Sequence, residues 1–224
     1  MKRVLMPKIF QPFYCENLIR LGKDNDGGYI VNSEDVKDTQ TLISLGINTD
    51  WSFEEQFTHI NNCEVLGFDG TVDIETQEKI KTFFKDKNTF QLKNIGKKED
   101  QITLNSIIKN KCFLKCDIDG GEYDILDEII INTKKFTGMA IEFHDIQKQD
   151  NYNLITNFIS KINQKLIHIH VNNWNYFITD QGCIPDVIEL SFTSSDNIFL
   201  RDVKLPHVLD MPNCPDRDEF KIVF

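Results

Sequence analysis

Hydrophobic positions along this chain change period repeatedly, and each change marks an element. Nearly unbroken apolar runs, the pattern of strands covered on both faces, occupy residues 41–47, 64–68, 89–92, 112–117, 138–143 and 166–171. Apolar residues at helical spacing fill the gaps. The stripes are Phe53, Phe57 and Ile60; Ile80, Phe83 and Phe84; Leu104, Ile107 and Ile108; Tyr123, Leu126 and Ile130; and Ile155, Phe158, Ile159 and Ile162. Five helices linking six strands by right-handed crossovers predict a doubly wound parallel sheet with helices on both faces. After the sixth strand the alternation stops. Residues 187–193 read as a seventh strand, preceded by the turn-rich Thr179-Asp180-Gln181-Gly182 with no helical stripe between, so the last strand is expected to run antiparallel.

The expected fold is therefore α/β and Rossmann-like: a doubly wound, mostly parallel seven-stranded sheet with an antiparallel C-terminal strand. Class I methyltransferases have this architecture, and other doubly wound enzymes share most of it. A chain of 224 residues suits one domain, with 41–224 as the core and 1–40 as an N-terminal extension contributing to the active site.

Thirty-five acidic against 25 basic residues give a formal charge of −10, which repels a phosphate backbone and an anionic membrane surface. Lys97-Lys98 and Lys134-Lys135 are only pairs, too short to reverse this, so no nucleic-acid partner is expected. The N-terminus lacks the apolar stretch of a signal peptide and no run approaches a membrane span, which predicts a cytoplasmic protein. Six scattered cysteines form neither a zinc pattern nor a disulfide scaffold; Cys112 and Cys116, on one strand face, read as buried thiols.

In such a sheet ligands lie beyond the carboxyl ends of the strands, so the residues after each strand carry the chemistry. Gly46 follows the first strand and permits close backbone approach, while Ser52 and Glu55 read as a capping box. Neither G-x-G-x-x-G nor G-x-x-x-x-G-K-[ST] occurs, which weighs against a dinucleotide or a nucleoside triphosphate. Asp69, ending the second strand, can accept both hydroxyl hydrogens of a ribose or, before Gly70, can simply form a turn. The fourth and fifth strands deliver Asp117, Asp119, Glu122, Glu142, His144 and Asp145 to one sheet edge, an assembly that suits cation binding or proton transfer. Asp119 and Glu122 also fit a helix cap. His168, His170 and Asn172 share a face of the sixth strand, leading into Asn173 and Trp174. A pocket with Asp119, His170, Asn172, Asn173 and Trp174 suits a sugar, which needs aromatic faces and hydrogen-bonding side chains.

With these residues in view, the chain resembles FkbM-type S-adenosylmethionine-dependent methyltransferases and relatives sharing a D-G-G-Y block. The matching segments are Gly22-Lys23-Asp24-Asn25-Asp26-Gly27-Gly28-Tyr29, Ser44-Leu45-Gly46-Ile47, Trp51-Ser52-Phe53-Glu54, Phe68-Asp69 and 115–123, followed by Ile141-Glu142-Phe143-His144, His170-Val171-Asn172-Asn173 and 184–190. The resemblance implies transfer of a methyl group from S-adenosylmethionine to a hydroxyl of a sugar, nucleotide-linked or in a polysaccharide precursor. Gly28, Gly46, Asp69 and Asp117 are then the expected cofactor contacts. His144 is the expected general base, assisted by Asp117 and Glu142, which would also hold any Mg²⁺ or Mn²⁺ ion. The sequence departs from the pattern in reducing the glycine-rich loop to Gly46 and in placing Asp119 where Glu is common. A non-catalytic binding protein on the same fold, or a nicotinamide-dependent Rossmann enzyme, is the alternative.

Overall fold

The computed structural model describes residues 2–180 and 182–224; Gln181, in the expected turn, lies outside the described residues. The chain begins with strands β1 (Lys2–Leu5), β2 (Tyr14–Cys15), β3 (Leu18–Leu21) and β4 (Tyr29–Asn32), then helix α1 (Ser33–Asp38). The central alternation follows: β5 (Thr41–Leu45), α2 (Ser52–Ile60), β6 (Glu64–Phe68), α3 (Ile74–Ile80), β7 (Thr89–Gln91), β8 (Cys112–Cys116), α4 (Glu122–Asn132), β9 (Phe136–Phe143), α5 (Gln149–Lys161) and β10 (Lys165–Val171). The chain ends with β11 (Tyr176–Thr179), β12 (Gly182–Pro185), β13 (Ile188–Thr193), β14 (Ile198–Phe199) and β15 (Phe220–Val223).

Seven strands form the central sheet in the order β10-β13-β9-β8-β5-β6-β7. β5 to β9 are parallel to their sheet neighbours among themselves, whereas β13 runs antiparallel to both β9 and β10. The expected antiparallel strand thus inserts between the fifth and sixth parallel strands instead of capping the edge. That insertion departs from the simple doubly wound order, and the fold is α/β and Rossmann-like, with the expected mostly parallel seven-stranded sheet.

Alternate residues along the strands enter two separate cores, which is why the strands are apolar throughout. Ile43, Leu45, Leu114, Ile141 and Phe143 pack with Ile125, Ile129, Ile155 and Phe158 of α4 and α5. Leu42, Val65, Phe113 and Ala140 face the other way, against Phe53 and Phe57 of α2, Val36 of α1 and Tyr29 and Val31 of β4. Cys112 and Cys116 are free, buried thiols in the first of these cores.

Three local expectations fail for physical reasons. The stripe Leu104, Ile107, Ile108 forms only a single 3₁₀ turn, Leu104–Ser106, in which Leu104 is fully buried and Ile107 and Ile108 pack partly buried against the core. Phe83 and Phe84 lie past the end of α3, packed edge to face at 5.0 Å. Ser52 and Glu55 do not cap α2: Trp51 takes the cap position, Ser52 Oγ accepts from the Lys23 backbone N–H at 2.8 Å, and Glu55 accepts from the Trp51 indole at 3.1 Å. Beyond the central sheet, residues 2–40 hold far more structure than their sequence advertised. β3 and β4 form a hairpin over the α2 side of the sheet, and β1 joins β11, β12 and β15 in a second sheet. Among the described residues no helix is long and apolar enough to cross a membrane.

Candidate functional site

A cavity of about 550 Å³ opens beyond the carboxyl ends of β5, β6, β8 and β9, where a doubly wound sheet places its ligand. Its two ends differ in chemistry. One is lined by Gly46, Asn48, Asp69, Lys93, Asn94 and Gln101, the other by Asp26, Asp117, Asp119, Glu142, His144 and Trp174.

The first end is built around the tight exit from β5. Gly46 has a φ of +78°, and a Cβ there would fall 1.6 Å from the Asp117 carbonyl oxygen, so only glycine lets β5 and β8 end this close together. The buried Lys115 ammonium donates to the Gly46 carbonyl at 2.6 Å, fixing the turn from beneath. Asn48, also left-handed at φ 48°, directs its backbone N–H to Asp69 Oδ2 at 2.8 Å. Asp69 Oδ1 accepts from the Thr71 N–H at 2.7 Å and from its hydroxyl at 2.6 Å. Asp69 therefore does form the turn, and the same bonds hold its carboxylate rigid at the cavity wall.

The second end gathers the residues after β8 and β9. His144 Nε2 lies 3.5 Å from Asp119, 3.8 Å from Asp117 and 4.0 Å from Glu142. Its Nδ1 faces Glu122 Oε1 at 3.3 Å, and the same oxygen accepts from the His144 backbone N–H at 2.7 Å. Burial works against the imidazolium, but the Glu122 hydrogen bond and the charges of Glu122, Glu142 and Asp117 outweigh it, and the pKa is pushed up to about 9. A ring that keeps its proton at neutral pH is a donor, which conflicts with the expected role of His144 as general base.

Glu142 is almost wholly enclosed, its Oε2 3.0 Å from the Tyr29 hydroxyl and its Oε1 accepting from Asn172 Nδ2 at 3.3 Å. Burial, followed by repulsion from Asp117 and Glu189, holds its carboxyl well above the usual carboxylate range. Asp117, Asp119 and His144 each present an atom that could ligate a metal, all within 4.8 Å of one another; of the expected Asp117 and Glu142 pair, this group includes Asp117. Asp119 is not a helix cap: α4 starts at Glu122 without a side-chain cap, and Asp119 holds φ 48° with a side chain 97% exposed. Glu122, fully buried, accepts from the Gly120 N–H at 2.8 Å.

Other expected residues divide between the cavity and its supports. Asn172 and Trp174 line the cavity. His170 does not: it is buried between Glu189, 3.3 Å from Nδ1, and Glu219, 3.2 Å from Nε2. Asn173 is also buried; it donates to the carbonyls of Cys214 and Arg217, both at 3.0 Å, and accepts from the Cys214 N–H at 2.7 Å. Both residues fasten the C-terminal segment to the sheet. Gly28 lies away from the cavity, where a Cβ would strike the Arg20 guanidinium at 1.5 Å. Its neighbours Asp26, which lines the cavity, and Tyr29, whose hydroxyl reaches two of the site's carboxylates, are the residues that sequence reasoning passed over. The only signal for them was the D-G-G-Y block itself.

No family model matches the chain, and no curated protein matches it in sequence. Solved structures similar to it include fibrillarin from Aeropyrum pernix with natively bound S-adenosyl-L-methionine, at 11% identity over 71% of this chain and 68% of that one, TM-score 0.46. Others are the N-methyltransferase NodS from Bradyrhizobium japonicum, at 9% identity over 72% and 89%, TM-score 0.42, and an rRNA methylase from Streptococcus thermophilus, at 8% over 72% and 90%, TM-score 0.42. The functional reading that follows rests on the site's own residues.

Proposed function

We propose that this chain is an S-adenosylmethionine-dependent O-methyltransferase acting on a hydroxyl of a sugar or similar polyol. One observation carries the reading: a single cavity is lined both by a rigid carboxylate at the tip of β6 and by a cluster of carboxylates beside an aromatic face.

The residues present fit the cofactor. Asp69 Oδ2 retains one lone pair for a ribose hydroxyl, the Gly46 turn brings backbone within reach, and Ile95, Asn94 and Gln101 line the far side. The acidic second end suits a sulfonium cation. S-adenosylmethionine supplies, when bound, an electrophilic methyl group. The protein's task is to align the attacking hydroxyl and remove its proton. Asp117 is assigned as acceptor, since its carboxylate borders the cavity and His144 already holds a proton. The His144 imidazolium then stabilises the charge that develops on the substrate oxygen. Trp174 offers a ring face, and Asn172, Asn175 and Asp186 offer hydrogen-bonding groups, for a polyol. Asp26, Asp117, Asp119, Glu142 and Asp186 on this side favour a sugar without phosphate at its reacting end over a nucleotide-linked one.

A second reading, favoured by the Asp117, Asp119 and His144 trio, has Mg²⁺ or Mn²⁺ lowering the hydroxyl pKa. Exhaustive chelation followed by add-back decides between them: full activity without metal eliminates the cation. The primary test is calorimetry with S-adenosylmethionine, then incubation with a panel of sugars and mass spectrometry for one added methyl. A chain that binds no S-adenosylmethionine, or that methylates only nitrogen, overturns the reading. Asp117→Asn is expected to lower kcat by roughly 10²- to 10⁴-fold while preserving cofactor affinity.

A further inference from the structure

Tyr29, in the β3–β4 hairpin outside the central sheet, reaches with its side chain into the carboxylate cluster. It is buried at 2% exposure, with its ring edge-on to Phe53 at 5.8 Å and the Lys115 ammonium 5.8 Å from its centroid. Its hydroxyl lies 3.0 Å from Asp117 Oδ2 and 3.0 Å from Glu142 Oε2, so one phenol spans the ends of β8 and β9. A buried tyrosine hydroxyl is costly unless it is partnered, and a phenol fixed by packing turns that requirement into a geometric constraint on its partners.

The local sequence is arranged to deliver this side chain. Arg20 donates to the carbonyls of Lys23, at 2.9 Å, and Asn25, at 2.6 Å, closing the turn between β3 and β4. Gly27 takes φ +90°, and Gly28 leaves room for the Arg20 guanidinium. Pinned in this way, the chain enters β4 with Tyr29 directed at the sheet. The C-terminal segment secures the same turn from outside: Asn25 donates to the Pro212 carbonyl at 2.8 Å, and Asn213 donates to Asp26 at 3.0 Å.

We propose that Tyr29 is a positioning residue of the transfer site: its hydroxyl grips Asp117 by Oδ2 and so presents Oδ1 to the cavity, with Glu142 as the second anchor of the phenol. This inference rests on the methyl-transfer reading, and it holds whether Oδ1 meets a hydroxyl or a cation. It also assigns the D-G-G-Y block a role in orienting the acceptor instead of in binding the cofactor.

Tyr29→Phe keeps the ring and removes the grip. Kcat should fall roughly 10- to 100-fold, the loss expected for one hydrogen bond to a charged group, with KM and affinity for S-adenosylmethionine within about twofold. The double variant Tyr29→Phe/Asp117→Asn should be no slower than Asp117→Asn alone, because Tyr29 acts through Asp117. Phe53→Leu, which disturbs the packing but leaves the hydroxyl, should lower Tm and spare kcat; a parallel loss of kcat would make Tyr29 merely structural. The grip also reads out without turnover, as a shift of the isotope-labelled Asp117 carboxyl carbon resonance in Tyr29→Phe. An unmoved resonance, an unchanged kcat, or multiplied losses in the double variant overturns the inference. A wild-type chain that transfers no methyl group overturns only the reading beneath it.

Discussion

Glu122 and His144 are joined twice through one oxygen: Glu122 Oε1 accepts the His144 backbone N–H at 2.7 Å and faces its ring Nδ1 at 3.3 Å. The helix start of α4 is thereby coupled to the strand end of β9, and Nε2 is left pointing among Asp117, Asp119 and Glu142. A carboxylate placed behind a histidine fixes its tautomer and raises its basicity.

Glu122→Gln should therefore lower the His144 pKa from about 9 toward the ordinary histidine range, since the hydrogen bond and charge of Glu122 are the leading contributions that raise it. An NMR titration of the ring nitrogens measures this. A pKa that stays near 9 would mean that Asp117 and Glu142 suffice to hold the proton.

Gly46→Ala should be among the most damaging single-methyl changes in the chain. The added Cβ would lie 1.6 Å from the Asp117 carbonyl oxygen, at a φ that L-residues adopt with strain. A loss of roughly 2–4 kcal/mol, or about 5–15 °C in Tm for a chain of this size, is expected, together with loss of S-adenosylmethionine binding. Thermal melts and calorimetry check both; a stable variant that still binds would refute the tight junction of β5 and β8.

Asp69→Ala should weaken S-adenosylmethionine by roughly 10- to 100-fold, because it removes a charged acceptor for a ribose hydroxyl and frees the Asn48 and Thr71 N–H groups. Calorimetry against 2′-deoxy and intact cofactor separates the causes. If the wild type binds both equally, Asp69 has only its turn role.

The central sheet was legible because continuous apolar runs have one stable home, between two layers of helices. Glu64–Phe68 matches its expected span, and β5, β8, β9, β10 and β13 begin or end within about two residues of theirs. What failed was local. The stripe at Leu104, Ile107 and Ile108 has helical spacing, but only the single 3₁₀ turn Leu104–Ser106 forms there, with Leu104 fully buried and Ile107 and Ile108 partly so. The site was half legible for a related reason. Asp117, Glu142 and His144 lie at or just past strand ends, and strand ends meet at one edge. His170 and Asn173 flank the end of β10 too, yet the segment carrying Cys214, Arg217 and Glu219 covers them, a packing that no periodicity announces. Tyr29 and Asp26 come from a hairpin distant in sequence, and only its docking brings them to the cavity.

The last prediction concerns Asp35, on α1, far from the chemistry but buried at 4% exposure with Oδ2 unpartnered. Burial raises its pKa to about 7, the charges of Asp38 and Glu34 add to the shift, and a hydrogen bond involving Thr193 offsets part of it. Below the unfolded-state value, near 4, the carboxyl is neutral in both states and its contribution to stability is fully present. As pH rises, the unfolded chain ionises first, so stability is lost progressively until the folded carboxyl also ionises near pH 7. Asp35→Asn removes the titration. Its stability relative to wild type should climb between about pH 4 and pH 7 and then level off, by at most roughly 3–4 kcal/mol. Urea denaturation of both proteins across that range measures the difference. A difference independent of pH would show that Asp35 ionises in the folded protein as readily as in the unfolded chain, and hence that its surroundings are more polar than its burial implies.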